Sequence, residues 1–120
     1  MAQRLQMATK IKETQIDISD KTFKEKVLEA SKDTPVVVDF WAEWCMPCLM
    51  LSPTLESFAQ DYKGKFILAK ANIDDVPENA GKYKIQGIPA VKMFKNGKIV
   101  AEFIGAIPEY LIKEWLDKNL

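Results

Sequence analysis

Val36-Val37-Val38-Asp39-Phe40-Trp41-Ala42-Glu43-Trp44-Cys45-Met46-Pro47-Cys48 is the stretch on which the reading of this sequence turns. Its first six residues are β-branched or aromatic apart from Asp39, which suits a strand covered on both faces. Two cysteines follow, three positions apart, and beyond them Leu51, Leu55, Phe58 and Tyr62 recur at helical spacing. A buried strand therefore runs into a helix, with Cys45 at the junction. Pro47 fits the first helical turn, where its missing N–H costs little. Pro53 falls inside the helix and is expected to kink it, because it removes a hydrogen bond and crowds the preceding turn.

That junction has a chemical consequence. A helix start presents unpaired N–H groups and about half a positive charge, so a thiolate placed there is stabilised. A free thiol has a pKa near ~8.5. Lowering it by about one and a half units makes the group half ionised at pH 7 and requires roughly 2 kcal/mol. The helix terminus supplies about 0.3–1 kcal/mol, approaching ~2 in a partly buried site. No lysine, arginine or histidine adjoins the pair, since Leu49 and Met50 follow it and the chain has 0 histidines. The terminus must carry most of the activation.

Cys48 lies one helical turn on, on the same side, where the ~3.8 Å Cβ separation that a disulfide prefers is within reach. Cys45 could then attack a disulfide, and Cys48 could release the product by attacking the mixed disulfide. By itself the spacing also fits two packing cysteines or half of an intersubunit metal site. Between a buried strand and a helix in an α/β pattern it points to redox work.

Working outward, Thr14–Ile18 alternates as an edge strand does, and Ser19 or Asp20 can cap a helix with Phe23, Val27, Leu28 and Ala30 on its apolar stripe. Asp33-Thr34-Pro35 ends that helix. Phe66–Ile73 reads as a second buried strand, and Pro77–Tyr83 as a short helix. Ala90–Phe94 and Lys98–Phe103 are strands joined through Asn96-Gly97, a strong signal for a tight hairpin. Pro108 opens a last helix with Leu111, Ile112, Trp115 and Leu116 expected to face inward. The pattern predicts an α/β fold, a central mixed β-sheet with helices on both faces, over residues 13–120, preceded by a loose arm over 1–12.

The chain has 120 residues, enough for one domain with a real core. Lys plus Arg and Asp plus Glu are both 17, so no basic field exists to hold nucleic acid or an anionic membrane. Two cysteines without histidine neither close a tetrahedral zinc site nor form a Cys-His or Ser-His nucleophile pair, and no metal is expected. The first ten residues lack the continuous apolar run of a secretory signal or membrane span, so a cytoplasmic address is expected. There a close cysteine pair is more often catalytic or metal-binding than structural.

From about Thr14 to Leu120 the sequence resembles the thioredoxin family. Asp39–Cys48 is similar to that family's active-site segment, Gly87-Ile88-Pro89 to its proline loop, Phe94–Gly97 to its hairpin, and Ile104-Gly105-Ala106 to its later glycine turn. The resemblance implies the thioredoxin fold, a three-layer α/β/α sandwich. It also implies a protein-disulfide reductase recharged by a thioredoxin reductase and acting on disulfide-containing client proteins. It further implies a monomer with no cofactor beyond its redox-active Cys45–Cys48 disulfide. Cys45 would be the exposed nucleophile and Cys48 the buried resolving thiol.

Asp39 matches the family's buried acid. A carboxyl in so apolar a strand should have a raised pKa, which suits proton transfer near neutrality. Lys70 matches the lysine near that acid, although by itself it reads as a strand-end lysine reaching water. Pro89 matches the family's cis-proline facing the disulfide. Trp44, Met46, Gly87, Ile88, Gly105 and Ala106 correspond to the rim that grips extended substrate polypeptide, through main-chain pairing at Ile88 and apolar contact. Trp41 reads as core packing.

Three positions depart from the family pattern. Met46 replaces a glycine, Leu49 a lysine, and Ala90 a threonine. They leave the reaction type intact and bear on reduction potential, thiol acidity and reductase recognition. Two other readings keep the fold: an oxidase or isomerase that forms client disulfides, and a binding module whose cysteines are incidental.

Overall fold

The computed structural model describes residues 14–120, and the arm expected over 1–12 lies outside them. Strand β1 is Gln15–Asp17. Helix α1 opens as Asp20–Phe23, continues with π-helical hydrogen bonding over Lys24–Glu29 and tightens to a 3₁₀ turn at Ala30–Lys32. Then come β2 (Val36–Trp41), α2 (Met46–Asp61), β3 (Ile67–Asn72) and α3 (Pro77–Lys82). The chain ends with β4 (Ala90–Lys95), β5 (Lys98–Ile104) and α4 (Glu109–Asn119).

The strands form one sheet in the order β1-β3-β2-β4-β5. β3 is parallel to β1 and β2, whereas β4 is antiparallel to β2 and β5. Parallel neighbours need long crossovers, supplied here by the helices. β2 is covered on both faces, as its composition requires. Val36, Val38 and Phe40 pack with Phe23, Val27 and Phe94, whereas Val37 packs with Leu51, Leu55, Ile112 and Leu116. Helices α2 and α4 thus lie on one face and α1 with the start of α3 on the other, the mixed-sheet sandwich that the pattern predicts.

The hairpin between β4 and β5 turns at Asn96 (φ +53°) and Gly97 (φ +77°), two successive left-handed residues of a type I′ turn. One expectation is corrected. Leu111 is exposed, because the inward axis of α4 is set by the buried pair Ile112 and Leu116, leaving Leu111 about 100° round from Ile112. Of the two residues able to cap α1, Ser19 and Asp20, it is not Asp20 that does so. Ser19 occupies that place, its N–H donating to Thr22 Oγ1 at 2.9 Å. The Asp20 carboxylate instead accepts the backbone N–H groups of Glu78 (3.0 Å) and Asn79 (3.1 Å) and the Asn79 side-chain amide (2.7 Å), at the start of α3. That helix has no side-chain cap of its own.

Candidate active site

Cys45 is the N-cap of α2. Its backbone is extended (φ −95°, ψ 103°), and its Sγ accepts the N–H of Cys48 at 3.3 Å. An otherwise orphaned helix donor is thereby aimed at sulfur, the arrangement expected from the strand-to-helix junction. Cys45 and Cys48 are joined in a disulfide with their Cα atoms 5.3 Å apart. The two sulfur-bearing residues differ in access. Both are buried, Cys48 fully and Cys45 with 6% of its surface open, so Cys45 is the more accessible of the two without being the exposed residue that the resemblance implied. They pack with Ala42 against Trp41, Ile73 and Ile88.

Two loops complete the rim. The Ile88–Pro89 peptide is cis, as the resemblance implied, and the Ile88 carbonyl oxygen lies 3.8 Å from Cys45 Sγ. Gly105, at φ +93°, donates its N–H to the Pro89 carbonyl at 2.8 Å and so pins the second loop on the first. A side chain at that φ would be strained. Around the disulfide, Trp44 (69%), Met46 (66%) and Met50 (69%) are largely exposed, together with Leu49 and Ile104. Gly87 and Ala106 are also exposed, and Ile88 and Gly105 half-buried. Met50 and Ile104 were not singled out from sequence. Their exposure follows from the turn of α2 and from the end of an edge strand, neither of which composition reveals.

Asp39 lies beneath this surface, fully buried on β2. Neither carboxyl oxygen has a hydrogen-bond partner. Its pKa is pushed up to about 7, first by burial, against a lowering by the Lys70 charge and with a further rise from Glu56. Lys70 faces Asp39 across the β2–β3 register. It does not reach freely into water: its side chain is 12% exposed, and its ammonium meets Glu56 Oε1 at 3.4 Å and lies 4.8 Å from the centre of the Trp41 ring. Trp41 is therefore more than core packing. Glu56, and Gln15 which donates to it at 2.9 Å, went unnoticed in the sequence. Pro47 is exposed in the first turn of α2, as expected.

The Thioredoxin family model matches residues 14–118. The chain belongs to the thioredoxin family. It is 43% identical over 104 residues to a thioredoxin of Chlorobaculum thiosulfatiphilum, covering 87% of this chain and 94% of that protein. It is 45% identical over 105 residues to a thioredoxin of Buchnera aphidicola subsp. Baizongia pistaciae (88% and 94% covered). With a thioredoxin of Pseudomonas aeruginosa it shares 41% over 105 residues (88% and 95%). As a thioredoxin-family protein with a Cys45–Cys48 disulfide, it is a thiol–disulfide oxidoreductase. Membership implies disulfide-containing client proteins and a reductase-type partner in general. Among the described residues, no helix is long and apolar enough to cross a membrane.

Proposed function

We propose that the protein is a cytoplasmic, monomeric reductase of protein disulfides, recharged by a thioredoxin reductase, with Cys45 as nucleophile and Cys48 as resolving thiol. The observation that carries this reading is the position of Cys45 Sγ, which caps α2 and accepts the Cys48 N–H while Cys48 itself is sealed from solvent. In the reduced protein the same donor would stabilise a Cys45 thiolate.

That thiolate attacks one sulfur of a client disulfide. A mixed disulfide forms, and the client's other sulfur leaves as a thiolate. Cys48 then gives up its proton, with Asp39 as acceptor, and its sulfur attacks Cys45 Sγ. The second client sulfur departs, and the Cys45–Cys48 disulfide remains. Two electrons pass to the client, and no cofactor beyond the cysteine pair is required. An acid that titrates near neutrality suits the proton step.

The rim of Trp44, Met46, Gly87, Ile88, Gly105 and Ala106 supplies non-directional apolar contact, with strand-like pairing to the main chain of the half-buried Ile88 beside the sulfur. The balanced charge of the chain favours no nucleic-acid partner. Insulin-disulfide reduction with dithiothreitol tests the proposal. Activity is expected in the native protein, with near-complete loss in Cys45→Ser and in Cys48→Ser. Wild-type activity in Cys45→Ser would refute it, and a reduction potential in the oxidase range would reverse the direction of transfer.

A further inference from the structure

Cys48, Ser52 and Glu56 stand on one i, i+4 ridge of α2, so Glu56 lies two turns beyond the buried sulfur, about 12 Å along the helix. One oxygen of its carboxylate has two partners. Oε1 accepts from Gln15 Nε2 at 2.9 Å and from Lys70 Nζ at 3.4 Å. The Lys70 ammonium also lies 4.8 Å from the Trp41 ring centre, within cation–π reach. Gln15 comes from the edge strand β1, 41 residues from Glu56 in the chain.

Lys70 would be the natural counter-ion of Asp39. The two residues are paired across β2 and β3, and in-register side chains leave a sheet on the same face. Yet both Asp39 oxygens are without a partner, and the ammonium rests on Glu56 and Trp41 instead. We infer that Gln15, Glu56 and Trp41 form a clamp that holds the Lys70 ammonium away from the Asp39 carboxyl, which makes Glu56 a positioning residue for proton exchange between Asp39 and the buried thiol. The inference rests on the reading of Asp39 as the proton acceptor.

The surroundings of Asp39 leave few other charges to act on it. β3 contributes Lys70, and α2 contributes Glu56 and the cysteine pair. β4 places Val91 opposite, and α4 packs Ile112 and Leu116 into the same layer. Lys92 leaves β4 between Val91 and Met93, which point to the α2 face, and so lies on the other side of the sheet. With the clamp opened, Lys70 is free to turn toward Asp39 and favour its anion.

The test is a ¹³C NMR titration of the Asp39 carboxyl in the full reduced chain, comparing native protein with Glu56→Gln, Lys70→Met and the double variant. Glu56→Gln is expected to lower the Asp39 midpoint by about one pH unit, a tenfold loss of proton affinity. Lys70→Met should raise it. Against the Lys70→Met background the Glu56→Gln shift should shrink to less than about half, because the effect travels through the lysine. Gln15→Leu should lower the midpoint by less than Glu56→Gln does.

A Glu56→Gln midpoint unchanged within about 0.2 units overturns the clamp. So does a shift of equal size in both backgrounds, since Glu56 would then act on Asp39 directly. The rate of client-thiol release in Asp39→Asn tests the underlying reading separately. No change in that rate removes the proton-acceptor role, whereas an unmoved Asp39 midpoint in Glu56→Gln removes the clamp and leaves that role intact.

Discussion

Asp39 and Lys92 are two ionisable side chains set into neighbouring interior strands, and the fold treats them in opposite ways. Lys92 is 7% exposed, but its ammonium reaches the Glu102 carboxylate at 3.2 Å on the adjoining strand, and Glu102 opens to solvent. Its long stem lies along the sheet while its charge finds a partner at the edge. Asp39 is fully buried, with both oxygens unpartnered and its nearest lysine engaged elsewhere. A buried polar group left unpaired costs stability, and an interior without it would fold better. The contrast separates a buried charge that has a partner from a buried acid that has none.

The largest effect expected from this difference is on stability. Asp39 keeps its proton up to about pH 7 in the folded chain, against an ordinary value of 3.8. Between those limits the folded state binds more protons than the unfolded one. Its contribution is therefore fully present at low pH and is lost as pH rises through about 7. A gap of about three pH units corresponds to about 4 kcal/mol. Urea unfolding from pH 4 to 9 should show native stability falling relative to Asp39→Asn by an amount of that order. Parallel profiles for the two proteins would erase the contrast.

A smaller effect, about 10- to 100-fold, is expected on single-turnover release of client thiol at pH 7 in Asp39→Asn, near the low end of general acid–base contributions. The loss should diminish toward alkaline pH, where solvent hydroxide can take a thiol proton without a neighbouring base. The smallest effect is expected at the other residue. Lys92→Met keeps the apolar stem and removes only a pair open to water, so stability should move by less than about 1 kcal/mol and turnover should not change. A large loss at Lys92 would show that both charges carry the same structural burden.

Much of this was legible in the sequence, for local reasons. The run Val36–Trp41 is apolar enough that only a strand buried on both sides accommodates it, and Asn96-Gly97 admits few backbone solutions other than a tight turn. The position of Cys45 as helix cap follows from the same reading. The cis bond before Pro89 was not readable from physics alone, because nothing in its neighbours distinguishes it from a trans proline, and only the family resemblance implied it. The setting of Lys70 was hidden from the local sequence for a related reason, and only the resemblance put it near Asp39. A strand-end lysine reaches water unless something else receives it, and Glu56 and Gln15 arrive from a helix and an edge strand whose positions depend on sheet order. Asp20 shows the same limit, since its partners lie 58 and 59 residues away.

That last contact has a consequence for how the molecule comes apart. A six-residue helix such as α3 is too short to persist in water by itself, and its first donors are satisfied by a residue at the start of α1. The two segments are thus thermodynamically coupled, so fraying of one releases the other, and they should exchange their amide hydrogens as a single cooperative unit on the sheet face opposite the cysteines.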